Sequence, residues 1–98
     1  MTYPPDSVFA VVLTLLRLEP ADIYGSRKLP EVVKARMLMA GTLKDLCGSV
    51  LSYPDIARMM GRRHHSSVWE MYRRYLQMPE LERVRWIEKV ISCIPHDR

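Results

Sequence analysis

Residues Leu51 to Tyr75, LSYPDIARMMGRRHHSSVWEMYRRY, carry two helical patterns joined by a basic turn. Ser52 followed by Pro54 and Asp55 is a start signal: a serine N-cap, a proline in the first turn and an acid three residues after the cap. Ile56, Ala57, Met59 and Met60 give the short helix, expected over Pro54–Met60, an apolar face. Gly61 stops it, because a residue without a side chain takes a left-handed C-cap at little cost. A second helix is expected over His65–Leu76, with Val68, Met71, Tyr72 and Tyr75 along one face. Ala57 is small where two helices must cross closely, and Val68 is branched where the second packs back. Together they predict a helix-turn-helix.

Around this core the chain reads as all-α, about five helices in one domain. Asp6 and Ser7 are placed to cap a first helix bearing Val8, Val11, Val12, Leu15 and Leu16 at helical spacing. Glu19 to Asp22 breaks it, and Gly25-Ser26 marks a loop. Val32 to Cys47 is apolar on most sides and is expected to be the central, most buried helix, ended by Gly48. Pro79 opens a last helix with Leu81, Val84, Ile87, Val90, Ile91 and Ile94 apolar, and Pro95 stops it. The predicted division is a tail over residues 1–5 and one domain over 6–95. Trp69 and Trp86 are assigned to packing, with Trp86, beside Arg83 and Arg85, the one free to lie exposed.

Composition excludes several classes. At 98 residues, 48% hydrophobic and 27% charged, the chain suits a single globular domain rather than a disordered segment. No apolar run reaches the length of a membrane span. Two cysteines without ligand spacing suit a reducing compartment as small apolar residues. No partner ligand stands near His64 and His65, so no metal is expected, and no cofactor or nucleotide either, since no phosphate-binding glycine loop occurs. No paired acids or nucleophile–base spacing argues for an enzyme.

The charge is unevenly placed. Residues 52–76 hold five Lys/Arg against two Asp/Glu, a net of +3, while residues 1–51 carry +1 and residues 77–98 are neutral. The excess lies on the helix-turn-helix, where a phosphate-binding face needs it.

Gly61-Arg62-Arg63-His64-His65-Ser66-Ser67-Val68 resembles the signature of the C-terminal DNA-binding domain (domain IV) of the bacterial replication initiator family DnaA. There the run is a glycine pair, Arg, Asp, His, two threonines and a branched residue. Ala21-Asp22-Ile23 with Arg27-Lys28 is similar to that family's lead-in segment. Val32 to Leu46 is similar to its long helix, and residues 8 to 94 can be laid along the domain without a large gap. The resemblance implies a helix-turn-helix of the DnaA C-terminal or Trp-repressor-like type that binds double-stranded DNA.

It also implies roles. His65, Ser66 and Ser67 would begin the recognition helix and meet bases in the major groove. Arg63 and Lys34 would hold phosphates, Lys28 would stand where an arginine reaches the minor groove, and Arg36 where an arginine reads guanine. Two replacements, His64 for aspartate and Arg62 for the second glycine, would add positive charge and shift sequence preference. Met37 stands where the initiator often has glutamine. The implied protein is a cytoplasmic, nucleoid-associated regulator of transcription or of replication initiation at origin-box-like sites. If the chain is complete, it would bind sites without ATP-driven assembly. The alternative is a helical protein-interaction module, a homodimeriser or a partner of the replication machinery, using Trp86 and Val90 on the last helix.

Overall fold

The computed structural model describes residues 3–62 and 64–95. These form six helices: α1 (Pro5–Leu16), α2 (Pro20–Tyr24), α3 (Pro30–Cys47), α4 (Tyr53–Met59), α5 (His65–Leu76) and α6 (Glu80–Cys93). No strand occurs among the described residues. The addition to the expected five is α2. Glu19 to Asp22 ends α1 as expected but then restarts the chain, with the Glu19 N–H donating to Asp22 Oδ2 at 3.0 Å. Five residues are too few to show helical periodicity, so only this capping contact betrays the element.

The start of α1 also differs from expectation. Its N-cap is Pro4, and neither Asp6 nor Ser7 caps it. Tyr3 packs on the core, and its carbonyl accepts a hydrogen bond from the Cys47 thiol at 3.4 Å. Of the residues placed in the expected tail, Tyr3 is thus part of the described packing and Pro5 is part of α1. Burial pushes the Cys47 thiol up to about 11, which keeps it protonated and unreactive. Cys93, in contrast, is exposed.

Helix α1 ends on Arg17 in the left-handed region (φ 56°), where its N–H reaches the carbonyls of Leu13 and Thr14. A side chain there costs roughly 1–2 kcal/mol, partly offset by the extra unfolded-state freedom of glycine. Arg17→Gly should therefore raise stability by up to about 1 kcal/mol in a denaturant titration, and a loss would refute the strain.

The central helix is α3, packed against α1, α2, α4 and α5, with α6 closing over α1. Val8, Val12, Ile23, Met39, Leu43, Ile56, Met60, Val68 and Val90 are wholly buried around it. Burying each such side chain contributes roughly 1.5–3 kcal/mol before the entropy cost of ordering it. Thr42 is buried without penalty: its hydroxyl donates to the Leu38 carbonyl and accepts from Trp86 Nε1 at 2.7 Å. Tyr72 ties α5 to α3 through a 3.0 Å bond from its hydroxyl to Asp45 Oδ1. Burial, then the Asp45 charge, pushes that phenol up to about 12.

Trp69 and part of the α6 stripe depart from the expected packing. Trp86 is half-buried and hydrogen-bonded, whereas Trp69 is 46% exposed on α5. Along α6, Val90 and Ile94 are buried but Leu81 and Val84 face solvent. The stripe that suggested a protein-docking face is thus turned inward at Trp86 and Val90.

Candidate functional site

The helix-turn-helix is built by local chemistry. Ser52 caps α4: its hydroxyl accepts from the Asp55 N–H at 3.3 Å, and Asp55 Oδ2 accepts from the Ser52 N–H at 2.9 Å and its hydroxyl at 2.8 Å. These bonds, the backbone one foremost, hold the Asp55 carboxyl below its usual range. The helix starts one residue earlier than expected, at Tyr53. It ends at Gly61 (φ 69°) in a Schellman turn, with Gly61 N–H bonded to the Arg58 carbonyl and Arg62 N–H to the Ala57 carbonyl. Helix α5 spans the expected residues, and Ala57 and Val68 are buried where the two helices meet.

The start of α5 is unlike that of the other helices. Its N-cap, His64, makes no side-chain capping bond, and its first turn contains no acid. Each of the others has at least one: Asp6, Asp22, Glu31, Asp55, and Glu80 with Glu82. The first-turn N–H groups of a helix carry partial positive charge and favour an anion. Here His64, His65, Ser66 and Ser67 are all exposed around that end, and the serines do not serve as the cap.

Of the other expected contact residues, Lys28 and Lys34 are exposed. Lys34 Nζ stands 4.0 Å from Glu82 Oε1, a solvated pair of little energetic weight. Arg63 lies outside the described residues. Arg36 is only 7% exposed and turns towards the α2–α3 loop, where Nε donates to the Asp22 carbonyl at 3.1 Å and Nη1 to that of Arg27. Arg62 does likewise, with Nη2 on the Ile23 carbonyl at 2.9 Å and Nη1 on that of Gly25 at 3.0 Å. The turn is thereby strapped to the end of α2.

Of these, Lys28, Arg36 and Arg62 meet in one cleft of about 360 Å³, lined by Ser26 and Lys28 from the loop, Val33 and Arg36 from α3, Arg62 from the turn, and Ser67, Met71 and Arg74 from α5. Four cations and no carboxylate line it. A neighbouring groove of about 520 Å³ adds Pro30, Lys34 and Met37. Arg74 was not expected from the sequence, although Ser67, Met71 and Arg74 stand at i, i+4 and i+7 on one helical face. On an adjoining face, Arg73 lies over the Trp69 ring at 5.5 Å from its centroid. Among the described residues no three His, Cys, Asp or Glu side chains gather as a metal would require. No helix among them is long and apolar enough to cross a membrane.

Residues 5–74 match the family described as the bacterial dnaA protein helix-turn-helix. Two relatives named chromosomal replication initiator protein DnaA, from Borrelia turicatae (strain 91E135) and Borrelia hermsii (strain HS1 / DAH), are each 36% identical over 63 residues. That stretch covers 64% of this chain but only 13% of either relative. No solved structure matches significantly.

Proposed function

Because the chain belongs to the bacterial DnaA helix-turn-helix family, we propose that it binds double-stranded DNA sequence-specifically, with α5 entering the major groove. The observation that carries this reading is the α5 N-terminus: exposed, free of acids and ringed by hydroxyl and imidazole groups. His65, Ser66 and Ser67 are the base-reading candidates, because short polar side chains at a helix start can reach base edges while the N–H groups favour phosphate. Serine lacks the threonine methyl, so contact with a thymine methyl is weaker than in the resembling family. Lys28, Lys34 and Arg63 supply the charge that holds backbone, with the His64 imidazole beside them as a polar contact. Arg62 contributes by fixing the loop that bears Lys28. On this reading the protein is a cytoplasmic, nucleoid-associated regulator of transcription or of replication initiation that acts at origin-box-like sites. It catalyses no reaction.

A selection from a random duplex pool at one stated salt concentration tests this. Enrichment of one motif is the expected result. Retention without enrichment would leave only non-specific binding, and no retention would end the reading. Trp69 supplies an internal probe, being exposed one turn beyond Ser66. Adding the selected duplex should change the fluorescence of a Trp86→Phe variant and leave that of a Trp69→Phe variant nearly unchanged. The reverse pattern would place the contact elsewhere.

A further inference from the structure

The Arg36 guanidinium has an unresolved need. It is a cation almost wholly removed from water, its Nε and Nη1 are engaged by the Asp22 and Arg27 carbonyls, and its Nη2 is buried with no partner. The neighbouring guanidinium, Arg62, is also bonded only to carbonyls. Burial first, then the nearby Arg62 charge, pulls the Arg36 pKa down from the ordinary arginine value, with Asp22 opposing. Uncompensated buried charge is costly, and carbonyl oxygens supply dipoles rather than a counter-charge. The cleft beside it holds Lys28 and Arg74 but no carboxylate. Among the described residues, no hydrogen bond or ion pair engages the charged groups of these two.

We propose that this cleft binds a single phosphate group, held by Arg36 Nη2, Arg74 and Lys28, with the Ser67 hydroxyl at its rim. This deepens the reading given under Proposed function, and rests on it for the source of the phosphate, the DNA backbone. It also changes one role. Reading guanine takes two parallel N–H groups from one guanidinium fork, and both forks of Arg36 already have one arm on a backbone carbonyl. A single remaining nitrogen suits one phosphate oxygen, in a charge-assisted bond. Arg36 is therefore a backbone anchor, and its carbonyl bonds hold the loop that carries Lys28 against α3.

The decisive variant is Arg74→Gln, because Arg74 is exposed and its replacement should leave the fold intact, as a circular dichroism melt will verify. In one arm, inorganic phosphate is titrated against chloride at matched ionic strength and followed by ¹H–¹⁵N spectra of the whole chain. Arg36 Nε and the Ser67 amide should shift saturably in wild type and lose saturation in Arg74→Gln. In the other arm, the selected duplex carries one neutral methylphosphonate at each backbone position in turn. One position should weaken wild-type binding about tenfold, the value of a charge-assisted bond, and cost Arg74→Gln nothing further. Both effects, or the second alone, identify a DNA phosphate; the first alone identifies free phosphate. If wild type binds duplex but neither effect occurs, the cleft site is overturned and the DNA-binding reading stands. If wild type binds no duplex, that reading fails and the phosphate titration still decides the cleft.

Discussion

Replacing Gly41 with alanine should destabilise the domain by about 3 kcal/mol or more, the upper range for overpacking a core. A Cβ on Gly41 would lie 2.2 Å from Cγ and 2.3 Å from Cδ1 of the Tyr75 ring, far inside contact distance. Tyr75 cannot swing away, because it is wholly buried between α3 and α5. The sign is informative. Glycine in a helix interior is about 1 kcal/mol worse than alanine, so helix propensity alone predicts that Gly41→Ala stabilises. Close approach of α5 to α3 must outweigh that gain. For a domain of this size the loss corresponds to a fall of roughly 12–24 °C in the thermal midpoint. A midpoint equal to or above wild type would refute the packing. A smaller partner should restore part of the loss, so Gly41→Ala with Tyr75→Leu should melt above Gly41→Ala alone.

Ser67→Glu should move folding and binding in opposite directions. Ser67 is the third residue of α5, with His64 as N-cap, and that first turn lacks any acid. A glutamate there complements the helix dipole and should stabilise the fold by roughly 0.3–1 kcal/mol. It would also place a carboxylate at the rim of the four-cation cleft and beside the exposed Ser66. Duplex affinity should then fall by about two orders of magnitude, through lost phosphate attraction and direct repulsion. Ser67→Ala, which removes only a hydroxyl, should cost far less. Thermal melts and fluorescence anisotropy at one fixed salt concentration measure both effects. Affinity for Ser67→Glu within threefold of wild type would remove the α5 N-terminus from the DNA surface.

Signals that act within one turn of chain were legible before any coordinates. Ser52 with Asp55 announces α4 because a capping box is completed inside four residues, and Gly61 announces its end because a Schellman turn needs a left-handed residue there. The α5 span and the burial of Ala57 and Val68 follow from helical spacing alone. So does the central place of α3, which carries apolar residues on most of its sides. Helix α2 escaped because five residues give periodicity nothing to repeat. Ring size predicts packing equally well for both indoles, yet only Trp86 packs, and the position of Thr42 decides that it is the one bonded inside.

Local signals along the chain thus set five of the six helices, the helix-turn-helix among them, and where positive charge concentrates. Where that charge points is set by packing. Arg36 and Arg62 are long, flexible cations whose identity says nothing of direction; carbonyls 9 to 39 residues away in sequence fix both guanidiniums. The cleft likewise draws its walls from the α2–α3 loop, α3, the turn and α5, which meet only once the core has closed. Capping and periodicity are short-range and can be read along the chain. A buried donor finds its acceptor by packing, which depends on every element at once.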